Sequence, residues 1–239
     1  MSENFRIPAT IHYVWVGGGP KSSLIRRCMR SWERHLPAYE IVEWNERNFD
    51  IAAHPYAREA YRRRMWAFVS DYIRVWAVHN YGGIYLDTDN VVQRTLDSFR
   101  RDRAFVGFER IDYPFTACFG AEKGHPFTAS LLEDYARRNF TVSEDDPLPF
   151  NNTISVSKIL CERFGAVCNN KEQVLAEGIR LYPDRVLCNP SPESAVIHVF
   201  TGSWLPGKTR LKRAVTSLKS HLDTPRKAAL YARLSGRPL

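Results

Sequence analysis

The chain contains no run of about 18 apolar residues, so no membrane-spanning helix is expected in it. Cysteine is scarce, five among 239 residues, and none sits in a C-x-x-C pair. That spacing argues against a zinc knuckle or a disulfide framework. Cys28, Cys118, Cys161, Cys168 and Cys188 read as reduced thiols in a cytosol, mostly core filler. The opening "MSENFRIPATIHYVWV" lacks the basic, apolar and small-residue order of a secretory signal. No G-x-x-x-x-G-K-[ST] occurs, so Gly17 to Gly19 read as a turn, not a phosphate cradle. Internal repeats and low-complexity linkers are absent as well, which argues against a solenoid. Acids are scarce in one place: from Gly207 to Leu239, nine Lys or Arg face Asp223 alone. The rest of the chain is balanced, so the net charge of +8 belongs to the tail and no globally basic nucleic-acid-binding surface is implied.

With 44% hydrophobic and 13% aromatic residues, the chain can bury a full core. "TIHYVWV" (Thr10 to Val16) is β-branched and aromatic and reads as a buried first strand. "SLIRRCMRSWERHL" has helical spacing and "YEIVEWN" reads as a second strand. Strand, helix and strand in that order predict a parallel βαβ unit of an α/β protein, with ligands beyond the carboxyl ends of the strands. Helical patterning resumes from about Tyr56 to His79. "GGIYLD", "AFVGFE" and "SAVIHVF" read as further strands, and "PFTASLLEDYARRNF" and "TISVSKILCERFG" as later helices. "EDDPLPFNN" is a loop, in which Asn151 and Asn152 read as a turn or as acceptor contacts. In the tail, Leu211, Val215, Leu218 and Leu222 form a helical stripe flanked by bases, suited to anionic lipid or to weak packing on the domain.

The segment "MWAFVSDYIRVWAVHNY" is apolar around nearly its whole circumference, the mark of a helix buried in the protein. Ser70, Asp71 and Arg74 form its one polar stripe, and buried charges without partners cost several kcal/mol. That stripe is either a self-satisfying ion pair or part of a site. "NYGG" ends the helix, Gly82 or Gly83 supplying the left-handed cap, and the chain enters "IYLDTDNVV". On a strand, Asp87 and Asp89 would share a face, where like charges need a cation, a shared proton or screening water. Two such carboxylates at a strand end suit a hard cation, Mg²⁺ or Mn²⁺, bridging a diphosphate. Replacing Asp89 by Asn is expected to remove metal-dependent turnover while leaving the fold intact, and even to relieve crowding.

"IPATIHYVWVGG", "WNERNFD", "SDYIR", "YGGIYLDTDN" and "IHVFTGSW" occur in an order that resembles glycosyltransferases carrying the D-x-D sugar-binding region. That family includes bacterial capsule and lipo-oligosaccharide transferases and yeast initiating mannosyltransferases. The same blocks resemble the glucosyltransferase domains of large clostridial toxins. The resemblance runs from about Ile7 to Trp204. It implies a GT-A fold: a Rossmann-like, nucleotide-sugar-binding α/β domain with a mixed central sheet over residues 1–206, followed by a basic, partly helical tail at 207–239. It further implies an Mn²⁺-dependent enzyme (or one using Mg²⁺) that transfers a hexose with retention of configuration. By this resemblance Trp15 stacks on the nucleotide base. Asp71 and Arg74 hold the donor sugar, and Tyr85 neighbours it. Asp87 contacts the ribose and a metal-bound water, and Asp89 ligates the metal. His198 or Ser203 completes the metal shell, and Trp204 covers the leaving phosphate. The family's asparagine near Thr116 or Ala117 is missing, so the acceptor side departs from the pattern.

The expected partners are a UDP- or GDP-linked sugar and a saccharide or lipid-linked saccharide acceptor, in bacterial surface polysaccharide or lipo-oligosaccharide synthesis. The expected location is the cytoplasm, with peripheral attachment to an anionic inner membrane face through the tail. No nucleic-acid partner is expected. Two other readings use the same residues. "IYLDTDNVV" also fits the opening motif of a haloacid-dehalogenase-type phosphatase, with Asp87 as nucleophile, although some 80 residues precede it. The basic tail is also compatible with a non-catalytic membrane- or nucleic-acid-binding protein. Duller roles compete at single positions: Trp15 and His198 can each be core.

Overall fold

The β-branched and aromatic run at Thr10–Val14 forms β1 in the computed structural model, which describes residues 4–115, 117–140, 152–202 and 209–235. Ser22 then starts α1 (Ser23–His35), its hydroxyl accepting from the Ile25 N–H at 3.3 Å and so satisfying one orphan donor of the first turn. β2 (Glu40–Trp44) returns parallel to β1, completing the expected βαβ unit.

The helical patterning from Tyr56 to His79 resolves into two helices, α2 (Pro55–Arg62) and α3 (Trp66–Tyr81). Arg64, with φ 58°, takes the left-handed backbone that stops α2. The break has a packing reason. α2 buries one face (Tyr56, Ala57, Ala60), whereas α3 buries Phe68, Val69, Asp71 to Val75, Ala77 and Val78 and lies inside the core. Gly82 caps α3 with φ 68°, and Gly83, with φ 110°, opens β3 (Gly83–Leu86). A Cβ on Gly83 would stand 2.7 Å from the Thr10 carbonyl oxygen, so both torsion and space require glycine there.

The remaining elements are β4 (Asn90–Val92), β5 (Ala104–Gly107), β6 (Cys118–Ala121), α4 (Pro126–Ala136) and α5 (Asn152–Phe164), then β7 (Gln173–Val174), β8 (Ile179–Tyr182), α6 (Asp184–Leu187), β9 (Val196–His198), α7 (Arg210–Lys219) and α8 (Pro225–Leu234). Seven strands form one sheet in the order β2-β1-β3-β6-β5-β8-β7. β1, β2, β3, β5 and β8 share a direction, and β6 and β7 run against it, so this is a mixed α/β sheet. A second sheet pairs β4 with β9 antiparallel, Asn90 opposite His198. The register Val14↔Trp44, with His12↔Tyr85 between β1 and β3, brings the carboxyl ends of β2, β1 and β3 to one edge.

His12 ties β1 to the Gly82 corner. Its Nε2–H donates to the Gly82 carbonyl at 2.7 Å, while Nδ1 accepts from the Trp44 indole N–H at 3.2 Å. This neutral tautomer leaves no place for a second ring proton. Burial lowers the His12 pKa, opposed by its bond to Gly82 and by Glu40 nearby, and burial likewise lowers His54, His79 and His125. A depressed folded-state pKa means that the unfolded chain binds the proton first. The stabilisation is therefore present above the unfolded value of about 6.5 and is lost as pH falls through the folded value. Urea midpoints measured at pH 7.5 and 5.5 are expected to drop toward acid, and less steeply for His12→Gln, which keeps a donor and an acceptor but does not titrate; equal slopes would refute the assignment.

The tail is docked. Leu222 and Ala228 join Cys28, Val91, Ile197 and Val199 in one buried cluster. Arg27 donates to Ser220 Oγ at 2.9 Å, Gln93 donates to the Leu222 carbonyl, and Arg34 pairs with Asp223 at 2.5 Å.

Candidate active site

The two acids do not lie on a strand. β3 ends at Leu86, and Asp87 to Asn90 form a turn closed by the Asn90 N–H on the Asp87 carbonyl at 2.9 Å. The turn is stapled to the Ala117 carbonyl, which accepts from Asp87 N–H at 3.0 Å and from the Asn90 side chain at 3.0 Å. The indole of the fully buried Trp32 donates to the Asn90 carbonyl at 2.7 Å, and Ser31 Oγ accepts from the Val92 N–H, so α1 holds the far side of the turn. A turn thus brings the carboxylates together where strand alternation was expected to.

Each carboxylate has its own compensation within the chain. Asp87 Oδ1 accepts from the Tyr85 hydroxyl at 2.7 Å and stands 3.3 Å from Arg74 Nη2. The same Nη2 lies 2.9 Å from Asp71 Oδ1 and 3.1 Å from Ser70 Oγ, and the guanidinium covers the Tyr85 ring at 4.7 Å. The polar stripe of α3 is therefore not closed on itself. It reaches across to the turn. Burial raises the Asp71 carboxyl to about 6, against the pull of Arg74. Asn152, the first residue of α5 rather than a turn, donates to Asp71 Oδ1 at 3.2 Å.

Asp89 is almost fully buried. Its Oδ2 accepts from both the N–H and the hydroxyl of Thr201 at 2.8 Å, and its Oδ1 lies 3.3 Å from His198 Nε2. Burial alone would raise this carboxyl; His198 and Thr201 outweigh it and hold Asp89 well below the usual range. His198 responds in kind: burial disfavours its charge, but Asp89 lifts its pKa well above the ordinary value. The β4–β9 ladder, with Asn90 opposite His198, is what carries this imidazole to the turn across the chain.

Asp87, Asp89 and His198 each present a ligand atom, all within 4.8 Å of one another. Two carboxylates and an imidazole fit a divalent cation of the Mn²⁺ type. Ser203 and Trp204 lie outside the described residues, as does Asn151. Trp15 follows β1 at the same sheet edge. Its indole donates to the Gly19 carbonyl at 2.7 Å, and Lys21 Nζ stands 5.1 Å from the ring centre. It packs on the core and also lines a cleft of about 420 Å³ with Lys21, Glu43, Asn45 and Arg47. That cleft and the acid turn open from the carboxyl ends of neighbouring parallel strands.

Three site residues escaped the sequence reading. Glu109, just past the carboxyl end of β5, sits in the fields of His198 and Asp87; burial, first, raises its carboxyl. Phe200 adopts φ 61° and tilts against the His198 ring at 4.0 Å, with Lys219 of α7 above it at 5.1 Å. Thr201 has a short-range signal only in hindsight, its place beside the glycine of "FTG". Groups that orient a metal ligand carry a tenfold to hundredfold share of metal affinity. Thr201→Val, which keeps the backbone N–H and loses the hydroxyl, is expected to weaken Mn²⁺ binding about tenfold by calorimetry. An unchanged affinity would remove Thr201 from the site.

Residues 22–106 match the family described as glycosyltransferase sugar-binding region containing DXD motif. The match includes Asp71, Arg74, Tyr85 and both acids of the turn. Over that stretch the chain is similar to glycosyltransferases of this D-x-D class, and its mixed seven-stranded sheet is that of a GT-A-type fold. Inositol phosphoceramide mannosyltransferase 3 of Schizosaccharomyces pombe is 27% identical to it over 143 residues, 58% of this chain and 40% of the yeast protein. The chain thus spans about two fifths of that relative's length. Among solved structures, PaToxG glycosyltransferase superposes with a TM-score of 0.51 at 16% identity, over 65% of this chain and 68% of that one, a likeness of fold.

Proposed function

We propose that this chain is a metal-dependent, retaining glycosyltransferase that moves a hexose from a nucleotide sugar to a saccharide or lipid-linked saccharide. The observation that carries the reading is the convergence of Asp87, Asp89 and His198 beside the buried Asp71–Arg74 pair, at the carboxyl edge of the sheet. A divalent cation held there supplies charge neutralisation to a departing nucleoside diphosphate. Trp15 offers a flat apolar face for the base, one parallel strand away. Asp71 and Arg74 orient the sugar hydroxyls, and Tyr85 and Ser70 fix the guanidinium for that task. In same-face transfer, the acceptor oxygen bonds to the anomeric carbon as the bond to phosphate breaks, and the acceptor proton passes to the leaving phosphate. No protein nucleophile is required. Asn152, bonded to Asp71, and Glu109, near Asp87 and His198, are the neighbouring polar groups available to an acceptor.

The phosphatase reading has less support. Asp87 is engaged by Tyr85 and Arg74, and its strand is the third of a sheet already begun, not the opening of a domain. A lipid-linked acceptor draws support from the yeast relative, whose name pairs mannosyl transfer with inositol phosphoceramide. A role in bacterial surface polysaccharide synthesis rests on the order of the sequence blocks. The direct test is to incubate purified full chain and Mn²⁺ with UDP-glucose, UDP-galactose, UDP-N-acetylglucosamine and GDP-mannose. Hydrolysis of at least one donor is expected, abolished by EDTA and restored by Mn²⁺. Hydrolysis indifferent to EDTA would overturn the metal dependence.

A further inference from the structure

The C-terminal helices are amphipathic the wrong way round for a core. α7 buries Thr216 and Lys219 and leaves Leu211 and Leu218 exposed at 75% and 53%, with Val215 between them. At about 100° per residue these three apolar side chains form a single stripe, turned well away from the buried face. α8 repeats the arrangement: Ala228 and Ala232 are buried, while Leu230 and Leu234 are exposed at 59% and 80% on the opposite side. Arg226, Lys227 and Arg233 flank that second stripe, and Arg210 and Lys212 stand on either side of the first. Asp223 is the segment's one acid, and it is already paired with Arg34 and Lys227.

We infer that the outer faces of α7 and α8 dock on an anionic lipid surface. Exposed leucines bordered by cations are what a bilayer with anionic headgroups satisfies twice, the acyl boundary taking the leucines and the headgroups the bases. Charge decides against a second copy of the chain, because pairing this face with itself would oppose two cationic surfaces. Leucine stripes likewise give a nucleic acid strand nothing to hold. The inner face of α7 meets the site through Lys219 on Phe200, so docking sets the acid turn close to the bilayer. The inference stands apart from the reaction assigned above, since it needs neither donor nor metal.

The test is co-sedimentation of the full chain with sucrose-loaded vesicles of phosphatidylcholine alone or with a quarter phosphatidylglycerol. Binding to the anionic vesicles only is expected, falling at least about tenfold between 50 and 500 mM NaCl. Leu211→Asp/Leu218→Asp should lose binding about tenfold or more, as should Leu230→Asp/Leu234→Asp, with circular dichroism unchanged in both. No sedimentation with anionic vesicles at low salt would overturn the inference, as would equal binding by both variants. A dimer seen by light scattering that these substitutions dissociate would assign the face to a second copy instead.

Discussion

Asp89→Asn is expected to reduce Mn²⁺-dependent turnover of the donor roughly a thousandfold, about 4 kcal/mol of transition-state stabilisation, with folded protein retained. The carboxylate is the most enclosed of the three candidate ligands, and Thr201 fixes both its position and its orientation. An amide keeps an oxygen for Thr201 but removes the charge that a hard cation requires. On sequence alone, neutralising one of two adjacent acids was expected to relieve crowding. The structure reverses that sign. Asp89 faces His198 at 3.3 Å, and Asp87 faces Arg74, so the two charges are balanced separately. Asparagine strips His198 of its partner and should cost about 1–2 kcal/mol of stability. Donor hydrolysis and urea unfolding of the same preparation test both parts. A variant more stable than wild type would show that the acids repel after all.

Arg74→Ala is expected to be the most damaging substitution to the fold, about 3–5 kcal/mol by chemical denaturation, because removing one partner of a buried ion pair strands the others. The guanidinium side chain is 9% exposed and Asp71 is 13% exposed, so water replaces little of what is lost. Asp71 and Asp87 would both lose a cation, and Tyr85 would lose the group stacked on its ring. Lysine should not rescue it. A single ammonium cannot meet Asp71, Asp87 and Ser70 while also lying flat on an aromatic face. The double variant Arg74→Met/Asp71→Leu separates fold from function. It should regain much of the stability, having no stranded Asp71 charge, and stay inactive toward nucleotide sugars. Recovery of turnover in that double variant would make the pair structural only.

Local periodicity made the βαβ start, the buried α3 and the GGIYLD strand legible, since each is written in adjacent residues. The same signal placed Asp87 and Asp89 together but for the wrong reason. They meet through a turn anchored by Ala117 and Trp32, contacts that no window of sequence contains. β6 and β8 went unread because four-residue buried runs such as "CFGA" carry no period, and Gly120 is there to admit the Phe105 ring. His198 emerged from family resemblance; the β4–β9 ladder that delivers it is a pairing between distant segments. Glu109 and Thr201 stayed hidden for a related reason, an ordinary glutamate after a strand and an ordinary threonine before a glycine. In the tail the leucine stripe was visible but left lipid contact and packing on the domain both open; the structure turns Leu211, Val215 and Leu218 outward and buries Leu222, a division that depends on contacts with Cys28, Val91 and Ile197.

A divalent cation seated among Asp87, Asp89 and His198 is the claim on which the functional reading turns. Crystals of the full chain grown with MnCl₂ and UDP, with diffraction recorded above the manganese absorption edge, test it most directly. An anomalous peak within bonding distance of Asp89 and His198, bridged to the pyrophosphate, is the result expected. A well-ordered nucleotide with no manganese peak at that turn, or with the peak elsewhere on the protein, would contradict it.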